Sequence, residues 1–123
     1  MRIRRFNRYK DMKIIYNKIL PFGRNFYALN FFGILFAKGP CDRVTINHEK
    51  IHTAQMKELA YVFFYLFYVL EWVVRLFQYG LSTRAYYNIS FEREAYANQT
   101  DMDYLSSRRA FSFMPHLSAR FRK

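Results

Sequence analysis

From Thr45 to Tyr79 the chain contains neither glycine nor proline, the residues that most readily stop a helix. A single helix over that run is about 50 Å long at 1.5 Å per residue. One domain of 123 residues has a radius of gyration near ~14 Å, so such a rod overshoots it. The helix must therefore break near Lys57–Ala60, or its second half must lie outside a small water-soluble core. The two halves differ in chemistry. The first holds Asn47-His48-Glu49-Lys50-Ile51-His52-Thr53-Ala54-Gln55, and the second, from Leu59 to Tyr79, is almost wholly apolar.

His48, Glu49 and His52 make H-E-x-x-H. Residues four apart share a helix face, so the two imidazoles can meet one metal ion. Glu49, rotated by about 100°, is not placed as a third ligand but can reach a water on that metal. Two fixed imidazoles, an open position and a nearby carboxylate are the parts of metal-assisted hydrolysis. A catalytic zinc usually takes three protein ligands, and two histidines with a glutamate are an attested set. The third is sought in Ile89–Asn98, where Ser90 or Asn88 can cap a helix. Glu92 and Glu94 point about 200° apart on that helix, so only one can face the metal.

H-E-x-x-H followed tens of residues later by a helical E-x-x-A resembles the gluzincin class of zinc metallopeptidases. More closely, His48-Glu49-x-x-His52-x-x-Gln55 with Ser90-Phe91-Glu92-Arg93-Glu94-Ala95-Tyr96 resembles small bacterial proteins of that type. The likeness is specific over 44–60 and 86–99 and looser over 26–38. It implies one minimal zincin-like domain over residues 1–123, hydrolysing a peptide or protein substrate. Zn²⁺ would be held by His48, His52 and Glu92, with Glu49 as general base. Glu94 is the alternative ligand if the motif is matched to Glu94-Ala95-Tyr96-Ala97-Asn98. In either register the usual Asp is replaced, by Tyr96 or by Asn98. The oxyanion donor stays open among Tyr86, Tyr87, Tyr96 and His116. Gln55, two turns beyond His48, can hydrogen-bond a ligand or the third-ligand helix.

Residues 13–20 and 26–38 are rich in β-branched and aromatic residues around the turn formers Pro21–Asn25, which predicts a β-hairpin. Gly33 marks a bulge or a close backbone approach in the second strand. The resemblance places that strand beside the metal helix, its free edge open to an extended peptide. The metal helix is expected to start at Thr45 as N-cap. The uncharged run Leu59–Leu70 is short of the roughly 20 residues of a membrane span. Extended to Tyr79 it takes in Glu71 and Arg75, four apart and able to pair. A helix apolar all round is surrounded either by protein, as a buried central helix, or by lipid. Gly80 ends it, residues 82–88 connect, and a helix over Ser90–Ser106 follows, with Asp101 and Asp103 at its surface. The expected class is α+β, mainly helical: an N-terminal β-hairpin packed on a pair of active-site helices with a strongly apolar central helix.

The net charge of +11 sits at the ends. Residues 1–13 hold six basic groups and one acid, and residues 108–123 hold five basic groups and none. Two readings fit basic tails at 1–12 and 108–123: arms for an anionic surface, or flexible solvated ends. No nucleic-acid motif accompanies them, which leaves a membrane surface as the anionic partner. A single cysteine, Cys41, excludes an internal disulfide and fits the reducing cytoplasm. No clean apolar core of a secretory signal follows the basic N-terminus. The competing function is a non-catalytic metal-binding or membrane-surface protein.

Overall fold

Residues 13–18 and 28–117 are described by a computed structural model of the protein, and they are α+β and mainly helical. Strands β1 (Ile14–Tyr16), β2 (Ala28–Phe31) and β3 (Ile34–Ala37) form one sheet in the order β1-β3-β2. The expected pairing of 13–20 with 26–38 as a hairpin is not formed. β1 runs parallel to β3, with Ile14 opposite Leu35, and the antiparallel pair is β2 with β3. The cause is a two-residue reversal at Phe32-Gly33, where φ is 54° and 91°. Positive φ at both positions is the type I′ handedness, whose twist matches the strands it joins. Gly33 is thus a turn and not a bulge within one strand. The turn expected at Pro21–Asn25 lies outside the described residues.

Phenylalanine does not favour positive φ, so neighbouring groups hold Phe32 there. Its N–H donates to Tyr65 Oη at 2.9 Å, and its ring packs against Phe31 and Tyr65. The Gly33 N–H donates to Asn30 Oδ1 at 2.9 Å. Asn30 in turn donates to the Glu49 carbonyl at 2.9 Å and to Thr53 Oγ1 at 3.0 Å, fastening the hairpin to the first helix.

That helix, α1, runs Arg43–Glu58. It starts before Thr45 because Asp42 is the cap: its carboxylate accepts from the Thr45 N–H at 2.7 Å. The long run then breaks after Glu58. Ala60 and Tyr61 both take positive φ, and the Tyr61 N–H turns back to the Met56 carbonyl at 2.7 Å. Helix α2 (Val62–Tyr79) follows and stops at Gly80, whose N–H reaches the Leu76 carbonyl.

Helices α3 (Thr83–Tyr87), α4 (Ser90–Asn98) and α5 (Tyr104–Ser107) and a 3₁₀ turn (Met114–Leu117) complete the chain. The expected helix Ser90–Ser106 is cut short at Asn98. There the Asn47 amide of α1 donates to the carbonyls of Gln99 (2.8 Å) and Asp101 (3.0 Å). Neither Ser90 nor Asn88 caps α4 with its own side chain. Glu71 of α2 does so across the interface, accepting from the Ser90 N–H at 2.7 Å and Oγ at 2.6 Å. An anion at a helix N-terminus is the favourable sign.

Met56, Phe64, Ile89, Phe91 and Phe113 form the core cluster. Phe113 corrects the expected tail from residue 108, since the segment to Leu117 belongs to the fold. Arg108 holds it there through ion pairs with the half-buried Glu58 and the buried Glu94. Residues 118–123 lie outside the described residues.

The buried central helix is overturned. Only Phe64 and Arg75 of α2 are buried, while Val62 is 66% and Phe77 88% exposed. Tyr65, Tyr68, Glu71 and Arg75 face inward because each finds a polar partner there. Glu71 and Arg75 do pair, at 3.0 Å, on that inner face.

Candidate metal centre

His48 and His52 stand one turn apart on the buried face of α1, and Glu92 enters from the first turn of α4. All three are buried, and their ligating atoms lie within 4.8 Å of one another. The two Nε2 atoms are 3.1 Å apart, and Glu92 Oε1 lies 3.2 Å from His48 and 3.1 Å from His52. A tetrahedral metal with bonds of 2.0–2.1 Å sets its ligand atoms about 3.3–3.4 Å apart. The observed triangle meets that with a small expansion. A buried His-His-Glu group of this shape can hold a metal ion.

The hydrogen bonds behind the histidines fix which nitrogen faces the centre. Gln55 Nε2 donates to the Phe91 carbonyl (3.0 Å) and to Glu94 Oε1 (2.9 Å), which uses both its hydrogens. Gln55 Oε1 therefore accepts, and His52 Nδ1, 2.8 Å away, is the donor. His48 Nδ1 meets Gln99 Oε1 at 2.9 Å in the same manner. Each imidazole thus turns an Nε2 lone pair toward Glu92 Oε1, as metal-ligating histidines do. Tyr68 Oη donates to the other oxygen, Oε2, at 2.7 Å.

Three acceptors facing one another call for a cation, and a proton takes that part when no metal is bound. Burial disfavours charge on His52, but the Glu92 carboxylate outweighs it and pushes the imidazole up to about 9. Burial raises Glu92 as well, yet His52 and His48 hold it well below the usual carboxylate range.

Glu94, the alternative ligand, does not join the cluster. It points to the opposite side of α4 and accepts from Gln55, Tyr104 Oη (2.6 Å) and the Arg108 guanidinium. Glu49 is half-buried beside the histidines. Burial raises its carboxyl above the ordinary value; His52 and His48 oppose that rise and Glu92 adds to it.

The Tyr96 ring lies edge-on to His48, with centroids 4.5 Å apart. Tyr86 and Tyr87 pack around Tyr96, and the Tyr86 and Tyr96 hydroxyls are 3.4 Å apart. Burial and the nearby Glu92 carboxylate push the Tyr96 hydroxyl up to about 12, so it stays a proton donor at neutral pH. His116 stands in the 3₁₀ turn, where its carbonyl accepts from Arg93 Nη1 at 2.8 Å. It is not part of the cluster. Sequence reasoning passed over Asn30, Asn47, Tyr68 and Gln99, all of which act through partners 19 to 54 positions away. No short spacing marks them.

No protein-family model, curated protein or solved structure matches the chain.

Proposed function

We propose that this chain is a zinc-dependent metallopeptidase, a minimal zincin-like domain whose centre is His48, His52 and Glu92. The observation that carries the proposal is the convergence of two tautomer-fixed imidazoles and one carboxylate oxygen at 3.1–3.2 Å. Two neutral nitrogens and one carboxylate suit zinc, which as a Lewis acid brings a bound water toward neutral pKa. Glu49 is the general base: next to His48 and half-buried beside the histidines, its carboxylate would accept a proton from the water and return it to the leaving amine. Tyr96, beside His48, is the group placed to donate a hydrogen bond to the developing oxyanion. Among the described residues β2 pairs on one side only, and it is fastened to α1 at Glu49, so its other edge suits an extended peptide.

Metal analysis of the purified chain is expected to give about one zinc per chain, lost in His48→Ala and His52→Ala. Glu49→Gln is expected to keep the zinc and to lose peptide hydrolysis by at least a hundredfold. Full activity in Glu49→Gln removes the general base, and a chain without zinc removes the proposal. The competing reading is a metal-binding protein without turnover. In its favour, the cavity of about 560 Å³ beside α2 is lined by none of His48, Glu49, His52 and Glu92.

A further inference from the structure

Helix α2 is inside out relative to a helix on the surface of a water-soluble domain. Its inner stripe carries Tyr65, Tyr68, Glu71 and Arg75, each hydrogen-bonded to the hairpin, to another helix or within α2. Its outward positions Val62, Leu66, Val69, Val73 and Phe77 are all Val, Leu or Phe, and they are 42–88% exposed. Trp72 lies at one margin of that face and Gln78 at the other. The apolar surface continues past the helix, because Phe67, Leu70 and Val74 also line the groove of about 560 Å³ shared with Phe111, Met114 and Leu117. Water does not favour so wide an apolar face.

We propose that this face lies in the surface of a phospholipid bilayer, with α2 parallel to the membrane plane. Three observations select this occupant and this orientation. First, an interface with a second protein, or a second copy, needs roughly one hydrogen bond per 100–200 Å², whereas the centre of this face offers no donor or acceptor; lipid chains need none. Second, the charge around the face is positive. Exposed Lys57 and Arg84 flank the two ends of α2, and the chain as a whole carries a net charge of +11. Anionic headgroups complement that pattern. Third, the 18 residues are long enough to approach a span, but the inner stripe is bonded to α4 and the hairpin. A crossing helix would carry Arg93, Glu92 and exposed Arg84 into the hydrocarbon with it. Lying flat, α2 buries only its outer half and leaves α1 and α4 in water.

The test is flotation of the full-length chain with vesicles of phosphatidylcholine, with and without phosphatidylglycerol. The chain is expected to float with both, more completely with the anionic mixture. The triple variant Leu66→Glu, Val73→Glu, Phe77→Glu, which alters only outward side chains, is expected to keep its far-ultraviolet dichroism and to partition at least tenfold less. Trp72, the only tryptophan, reports orientation in the parent protein without any mutation. In a flat helix it is quenched more by lipids brominated near the headgroup than by lipids brominated near the chain end. A spanning helix places Trp72 close to mid-bilayer and reverses that order, which overturns the in-plane orientation. A parent chain that stays in the aqueous fraction with both vesicle types, as monomer or as a dimer through this face, overturns the proposal. So does a folded triple variant that floats like the parent.

Discussion

Glu92 and Glu94 sit two residues apart on one short helix, both buried, and their surroundings differ in one respect. Around Glu94 every neighbour is a donor: the Gln55 amide, the Tyr104 hydroxyl and the Arg108 guanidinium, which also binds Glu58. Burial works against its charge, but Arg108 and the hydrogen bonds hold the carboxyl below its usual range. Around Glu92 only Tyr68 is a neutral donor, and Oε1 faces two nitrogens whose hydrogens point the other way. The Glu94 cluster is complete as the chain folds. The Glu92 cluster is one cation short, and a buried charge in that position must protonate its neighbour or bind a metal. Charge deficit, more than the presence of histidines, separates a candidate metal centre from a structural ion pair here.

The contrast breaks most directly at the two carboxylates. Glu92→Gln is expected to lower zinc affinity at least a thousandfold, about 4 kcal/mol. Glu94→Gln, one hydrogen bond behind His52's partner, should lower it only about 10–100-fold. Competition against a chromophoric chelator measures both, and equal losses erase the distinction. Stability should respond in the reverse sense. Arg108→Ala leaves Glu94 buried without its cation and is expected to cost about 3–5 kcal/mol in urea unfolding of the zinc-free chain. A cost under about 1 kcal/mol would place this pair with exposed ion pairs instead. Metal removal gives the next effect: zinc at a hundredfold above its Kd should stabilise the chain by about 2.7 kcal/mol over the chelated form. The same titration should do nothing for Glu92→Gln.

The helix of the candidate site is legible in the sequence, because His48 and His52 are a local spacing and a helix converts it directly into a shared face. The sequence could not choose between Glu92 and Glu94. That choice depends on which side of α4 meets α1, and the cation that occupies Glu94 there is Arg108, 14 positions further on in a segment that reads as a tail. Nor could it orient α2, since an apolar run says little about which half of the helix turns inward. A signal existed in Tyr65, Tyr68, Glu71 and Arg75, spaced three or four apart as a polar stripe. In an otherwise apolar helix, that stripe marks the side with partners. The hairpin is illegible in the sequence for a different reason. Phe32 is no turn former, and its positive φ is imposed by Tyr65 of α2. Parallel pairing of β1 with β3 is likewise a non-local contact with no short pattern behind it.

The finest discrimination lies at Gln99. It is half-buried at the end of α4, and its Oε1 accepts from His48 Nδ1 at 2.9 Å. Removing that acceptor leaves His48 free to rotate or to carry its hydrogen on Nε2, where it blocks the ligand lone pair. Gln99→Ala is therefore expected to weaken zinc binding about 10–100-fold. Asn47 still donates to the residue 99 and 101 carbonyls in the variant, so α4 keeps its end. The zinc-free unfolding free energy should move by no more than about 0.5 kcal/mol. A large loss of affinity with unchanged stability assigns Gln99 to the centre and not to the scaffold. Unchanged affinity would mean that the His48 tautomer is set by the metal alone, and the charge deficit at Glu92 would then be the whole of the site's design.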